Sequence, residues 1–204
     1  EKADVAATMQ ELAEDGESSV AIAAAGGVEA LVALARDGSE ALKEEAAGAL
    51  WNLAINDDNS VAIAAAGGIE VLIALARDGT EAQKENAAGT LANLAINDEN
   101  SVAIAAAGGV EVLIALARDG TERQKVRAAG VLRNLAMNDD NRVAIAAAGG
   151  VEVLVSLARD GTKGQKENAA GALWNLSAND DNRVAIAAAG GIEVLVSLAR
   201  DGNE

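Results

Sequence analysis

The sequence predicts an all-α solenoid, a stack of three-helix repeats, on three observations. The segment Val-Ala-Ile-Ala-Ala-Ala-Gly-Gly begins at Val20, Val61, Val102, Val143 and Val184, a constant spacing of 41 residues. Arg-Asp-Gly recurs in the same register, ending at Gly38, Gly79, Gly120, Gly161 and Gly202. A period near 40 with helical content is the signature of a stacked-repeat fold. The third observation is composition: there is no Pro, and the apolar half of the 204 residues is mostly Ala, Val, Ile and Leu, with two Trp and no Phe or Tyr. A core of small side chains buries little area per residue, since each buried methylene contributes ~0.8 kcal/mol. Such a core suits closely packed helices, and Ala, Leu, Glu and Lys are all good helix formers.

Each element follows from local chemistry, read here in the second copy. The cluster Asn56-Asp57-Asp58-Asn59 supplies helix-start residues. A short helix is expected from about Ser60 to Ala66, stopped by Gly67-Gly68. A second helix carries Ile69, Leu72, Ile73, Leu75 and Ala76 at helical spacing, and Asp78-Gly79 breaks it. Thr80 then starts a third, longer helix, with Gln83 three residues on completing a capping box; Thr121 with Gln124 and Thr162 with Gln165 repeat the pair. That helix is expected to run to about Ala95, with Ala87, Ala88, Leu91 and Leu94 on its buried face.

One unit cannot bury its own apolar face; stacking on its neighbours does so. The chain reads as a single repeat domain over 1–204, in five units of about 1–38, 39–79, 80–120, 121–161 and 162–202. It opens inside a third helix, about Lys2 to Glu14, and closes after a second one, about Gly191 to Arg200. Gln10, Glu11 and Glu14 stand where the next copy has Trp51, Asn52 and Ile55, a polar change that suits a solubilising end cap. The far end shows no such change, as expected of a piece of a longer array. Residues 56–96 and 97–137 differ at 8 of 41 positions, the mark of recent duplication or of consensus engineering.

The net charge of −16 argues against nucleic acid, whose binding rests on neutralising phosphates with Lys and Arg, and against an anionic membrane surface. No apolar run approaches the ~20 residues of a membrane span. The absence of Cys removes disulfides, thiol catalysis and thiolate metal sites and fits an intracellular, cytoplasmic protein. The pairs Asp57-Asp58, Asp98-Glu99, Asp139-Asp140 and Asp180-Asp181 lack the spacing and central Gly of a calcium loop; helix capping explains them better. There is no His, and no phosphate-loop pattern follows the Gly pairs. Carboxylates and lysines recur in every unit, where a catalytic site would break the repeat at one place. No enzyme, cofactor or metal is expected.

Specific phrases carry a family resemblance. Asn168-Ala-Ala-Gly-Ala-Leu-Trp-Asn-Leu-Ser177, followed by Asn179-Asp-Asp-Asn182 and then Ala-Gly-Gly-Ile-Glu-Val-Leu-Val-Ser-Leu, resembles the armadillo repeats of plant U-box proteins and of vacuolar armadillo proteins. The resemblance covers essentially the whole chain. It departs where many members have Ala-Ile-Pro or Ala-Leu-Pro at the start of the second helix; here that point reads Gly-Val-Glu or Gly-Ile-Glu. The resemblance implies a right-handed armadillo-type α-solenoid, a superhelix of three-helix repeats whose third helices line a concave groove. It implies an extended peptide or protein partner held there.

The family's groove asparagine maps onto Asn52, Asn93, Asn134 and Asn175. A carboxamide can bond a peptide N–H and C=O together, although duplication alone would also copy four solvated or internally bonded asparagines. The nuclear-import adaptors of the family place a Trp four residues before that Asn, where this chain has Gly48, Gly89, Gly130 and Gly171. The Trp pockets are therefore missing, and recognition of nuclear-localisation signals is not expected. Two variable columns are candidates for selectivity: Trp51, Ala92, Arg133 and Trp174 just before the Asn, and Glu45, Asn86, Arg127 and Asn168 seven before it. Trp and Arg are enriched among binding hot spots, so Trp51, Trp174, Arg127 and Arg133, with Asn86 and Asn168, are candidate contacts for an acidic or aromatic ligand side chain. The alternative is that the Trp side chains cover neighbouring helices and the arginines are solvated. Three readings of the whole stay open: a peptide-binding scaffold, an engineered or consensus module with no physiological ligand, and a repeat that associates weakly end to end rather than remaining a monomer.

Overall fold

The computed structural model describes residues 2–201. It divides the chain into two compact units, Glu1–Ala107 and Gly108–Glu204. All the regular structure of the described residues is α-helical. The first unit holds α1 (Lys2–Leu12), α2 (Gly16–Ala24), α3 (Gly27–Asp37), α4 (Glu40–Leu53), α5 (Asp57–Ala65), α6 (Gly68–Asp78), α7 (Glu81–Leu94) and α8 (Asp98–Ala106). The second holds α9 (Gly109–Asp119), α10 (Glu122–Leu135), α11 (Asp139–Ala147), α12 (Gly150–Asp160), α13 (Lys163–Leu176), α14 (Asp180–Ala188) and α15 (Gly191–Asp201).

The expected three-helix unit is present, with one boundary moved. The short helix α5 starts at Asp57 rather than about Ser60, because Asn56 is its cap: the Asn56 Oδ1 accepts from the Asn59 N–H at 3.1 Å. The acidic pair Asp57 and Asp58 therefore occupies the first helical turn, where the helix dipole favours negative charge. Likewise α1 ends at Leu12 rather than about Glu14, and Asp15 caps α2. The Ser18 backbone N–H that Asp15 accepts, aided by the Ser18 side chain, holds the Asp15 carboxyl below its usual value.

The Gly-Gly pair does more than stop a helix. Gly67 sits at φ +75°, in the left-handed region that costs other residues ~1–2 kcal/mol. Gly68 has an ordinary backbone, but a Cβ on it would lie 2.6 Å from the Ile63 Cγ2 and 2.7 Å from the Ile63 carbonyl oxygen. One glycine makes the turn and the other lets α6 lie against the end of α5. The two helices meet at 84°, and the α2–α3, α11–α12 and α14–α15 pairs bend by 81–82°. No single described helix is long and apolar enough to cross a membrane.

The bend sends each second helix across its third helix: α3 packs on α4 and α6 on α7 in the first unit, α9 on α10 and α12 on α13 in the second. Third helices stack on one another, α1 on α4 on α7, and α10 on α13. The buried face of α7 holds Ala87, Ala88, Leu91 and Leu94, as its spacing predicts, with Gln83, Gly89 and Thr90 added. On α6, Ile69, Leu72, Ile73, Leu75 and Ala76 are all buried. Small residues at the contact bring third helices close together.

Gly68→Ala is expected to lower the urea midpoint by an amount equivalent to about 1–3 kcal/mol, the cost of overpacking a filled contact. Gly67→Ala is expected to cost ~1–2 kcal/mol through backbone strain, and the exposed Ala65→Ser should leave the midpoint unchanged.

Candidate functional site

The columns singled out from the sequence all lie on third helices, and the carboxamides of Asn52, Asn86, Asn93, Asn168 and Asn175 reach backward to the preceding third helix. In the first unit the Asn93 carboxamide donates through Nδ2 to the Trp51 carbonyl at 3.3 Å. Asn86 donates to the Glu44 carbonyl at 3.2 Å and Gln83 to the Glu40 carbonyl at 2.8 Å. The Thr90 hydroxyl adds a bond to the Ala47 carbonyl at 3.3 Å. Four side chains, one per turn of α7, thus donate to carbonyls of α4. Asn52 does the same from α4 to the Gln10 carbonyl of α1, at 3.0 Å. These carbonyls lie within helices, and each oxygen has a second lone pair for the added bond.

The second unit repeats the arrangement between α10 and α13. Asn175 donates to the Arg133 carbonyl at 2.8 Å, Asn168 to the Val126 carbonyl at 3.2 Å, and Gln165 to the Glu122 carbonyl at 3.1 Å. Asn134 is half-buried on α10 and Arg127, seven residues earlier, lies on the same helical stripe, also half-buried.

The glycine column has a specific occupant. A Cβ at Gly89 would lie 2.8 Å from the Trp51 Cε2, so the Trp51 indole rests on the bare backbone of α7. At Gly171 the Arg133 side chain takes that place, its Cδ and Nε each 2.8 Å from the Cβ position, and at Gly48 the Gln10 carboxamide does so. In these three pairs the side chain at the register position just before the Asn column covers the glycine of the next third helix, whereas the Cβ position of Gly130 meets only Asn168, at 3.8 Å. Of the two sequence alternatives for Trp51, covering a neighbouring helix is what the structure displays. Arg133 is exposed yet lies over Gly171 instead of extending freely into solvent. Trp174 is 77% exposed. Trp51 and Asn93 come together in the first unit, as do Arg133 and Asn175 in the second.

A second set of asparagines was hidden in the helix-start clusters. Asn59, Asn100, Asn141 and Asn182 are buried. Asn59 donates to the Ser19 Oγ at 2.9 Å, Asn100 to the Ser60 Oγ at 3.3 Å, and Asn182 to the Arg142 carbonyl at 3.2 Å. These bonds tie successive short helices together. Their sequence signal was the strict recurrence of the last Asn in each cluster, which capping by the first Asn alone does not require. Where Ser gives way to Arg142, the guanidinium turns to the end of α10 and donates to the Ala136 and Met137 carbonyls, both at 2.9 Å. Among the described residues no group of three or more acidic side chains is placed to hold a metal ion.

The repeat geometry has a family counterpart. The model of the armadillo/beta-catenin-like repeat matches residues 17–55, 56–96, 97–137 and 138–178. The chain belongs to the armadillo repeat family. Each matched stretch begins at a short helix and ends after a third helix, so it holds one whole armadillo unit. A search of curated proteins gave no match. Among solved structures, the chain is similar to an engineered protein at 39% identity and a TM-score of 0.92, over 96% of this chain and 81% of that one. It is similar to a designed armadillo repeat protein at 27% identity, a TM-score of 0.92 and coverage of 96% and 84%. A third similar structure is a designed armadillo repeat protein in complex with the peptide (KR)4, at 27% identity, a TM-score of 0.91 and coverage of 98% and 86%.

The armadillo glycine seat is testable by fluorescence. In a Trp174→Phe background, Gly89→Val should displace the Trp51 indole and shift its emission to longer wavelength. An unchanged emission maximum would show that the ring does not rest on Gly89.

Proposed function

We propose that this chain is a non-enzymatic scaffold that binds extended peptides along its third helices. The observation that supports this most directly is the incomplete use of the armadillo asparagines. Each of Asn52, Asn93 and Asn175 spends one N–H on the preceding helix. The second N–H and the Oδ1 are not part of that bond, and all three side chains are only half-buried. A carboxamide fixed on one side by the fold offers a preorganised donor and acceptor to a peptide backbone on the other. The similar designed armadillo protein in complex with a (KR)4 peptide supports the same use of this fold.

The two units differ in charge along these helices, which proposes a different ligand chemistry for each. The first carries Glu44 and Glu45 on α4 and Glu85 on α7; the second carries Arg123, Lys125, Arg127 and Arg133 on α10. The first suits basic ligand side chains and the second acidic or aromatic ones. The overall charge of −16 acts on encounter rate at long range, and physiological salt screens that field within ~8 Å. Local side chains therefore set selectivity.

Titration with a Lys-rich and a Glu-rich extended peptide tests this reading by calorimetry. Asn93→Ala together with Asn134→Ala should weaken a bound peptide by about 1 kcal/mol per lost hydrogen bond, roughly fivefold each. Arg127→Ala with Arg133→Ala should weaken the acidic peptide about tenfold, in line with charge-assisted bonds of ~1.5–3 kcal/mol, and leave the basic one unchanged. Equal affinity of all variants for a peptide that binds would overturn the assignment. The near-identity of the repeats and the 39% identity to an engineered protein favour a second reading, an engineered module without a physiological ligand. That reading predicts that a random-sequence peptide library yields no binder whose affinity depends on the asparagines.

A further inference from the structure

In the first unit a large apolar side chain stands one turn beyond Asn52 and another beyond Asn93. The Ile55 N–H donates to the Asn52 carbonyl at 3.3 Å, and the Ile96 N–H to the Asn93 carbonyl at 3.2 Å. Under such three-residue bonds the side chains at i and i+3 lie in line along the helix. Ile55 therefore continues the stripe of Asn52 past the end of α4, and Ile96 that of Asn93 past the end of α7. The fold takes up neither side chain. Ile55 is 71% exposed and Ile96 65%, while the nearby Leu53 and Leu94 are fully buried. In the second unit the same column reads Met137 and Ala178, so a pair of isoleucines on adjacent third helices belongs to the first unit alone.

The chemistry on the other side of the asparagines is different. Trp51 is half-buried over Gly89, and Glu45 lies half-buried on α4, two turns before Asn52. A peptide bonded to the carboxamides turns its hydrogen-bonding edge toward them. Its side chains stand perpendicular to that edge and alternate in direction. They point by turns toward the starts of α4 and α7 and toward their ends. Toward the starts they meet an aromatic ring and a carboxylate, which suit the apolar stem and charged tip of a Lys or Arg. Toward the ends they meet Ile55 and Ile96, which suit an aliphatic side chain. Two extended residues advance ~6.6–7.2 Å, close to the ~8–10 Å between packed helices, so the alternation keeps step from α4 to α7.

We propose that the first unit selects peptides in which basic and aliphatic residues alternate, the aliphatic ones resting on Ile55 and Ile96. The proposal rests on the peptide-scaffold reading and adds to it a second column of recognition beyond the asparagines. Apolar burial against the two isoleucines rewards an aliphatic side chain at every second ligand position. A polar side chain there forfeits that burial, and a charged one loses hydration without gaining a partner.

Calorimetric titration of the full chain with (Lys-Val)4 and (Lys-Ser)4, two peptides of equal charge, tests the proposal. The Val peptide should bind about tenfold more tightly, as expected of two partly buried valines. Ile55→Ser with Ile96→Ser should abolish that preference and leave the affinity for the Ser peptide unchanged. Both positions are exposed, so the double variant should keep its fold, and Met137→Ser should leave the preference intact. Asn52→Ala with Asn93→Ala should weaken both peptides alike. Equal binding of the two peptides, or a preference for Val that survives in the isoleucine variant, would overturn the proposal while leaving the scaffold reading in place. Binding of neither peptide, or binding indifferent to the asparagines, would overturn both.

Discussion

The close approach of neighbouring third helices is the constraint on which the rest of the structure depends. It is set by side-chain size: Ala46, Ala47, Gly48 and Ala49 on α4, and Ala87, Ala88 and Gly89 on α7, all lie buried at the contact. With so little bulk between the helices, short polar side chains on one can reach carbonyl oxygens on the other. The bonds from Gln83, Asn86, Thr90 and Asn93 to α4 follow from that proximity. Each contributes roughly 0.5–1.5 kcal/mol net, and leaving such a donor buried and unpaired costs ~1–3 kcal/mol. The register of the stack is therefore specified by hydrogen bonds, while its affinity comes from apolar burial. The lack of Phe and Tyr and the abundance of Ala are consequences of the same geometry.

This constraint changes the meaning of the asparagine column. A ladder of carboxamides invites the view that it exists for a ligand alone. Here the carboxamides of Asn52, Asn93 and Asn175 are first fastenings between third helices, and under the proposed function what they would offer a ligand is the half left over. The two roles support each other, because the bond to the preceding helix fixes the side chain that a peptide would meet. The side chain just before the asparagine is similarly divided. Trp51 spends a face of its ring on Gly89, and Arg133 lays its Cδ and the adjoining Nε–Cζ edge of its guanidinium over Gly171.

Local chemistry was legible in the sequence and reciprocal chemistry was not. The period can be read by comparing repeats, and the helix order, most of the buried face of α7 and the Thr–Gln capping pairs from a single one. The cap at Asn56 rather than a start near Ser60 was missed because any of four polar residues in a row can cap. Gln83 shows the deeper limit. Its Oε1 accepts from the Thr80 N–H, which the capping pattern predicts, and its Nε2 donates to the Glu40 carbonyl, which nothing within the repeat reveals. Asn59 and Gly89 were opaque for the same reason: their partners, Ser19 and Trp51, lie about one period away. The placement of the chain goes as far as the armadillo family and does not reach its plant U-box or vacuolar members.

The most direct measurement of the central claim is hydrogen exchange at the asparagine side chains, followed by NMR on the full chain. One Nδ2 proton of Asn52, Asn93 and Asn175 should exchange markedly more slowly than the other, because one is held by a helical carbonyl and the second is not. Addition of a bound peptide should slow the second proton without releasing the first. Two protons exchanging equally at the rate of a free carboxamide would contradict the account, since no bond would then join the third helices through these residues.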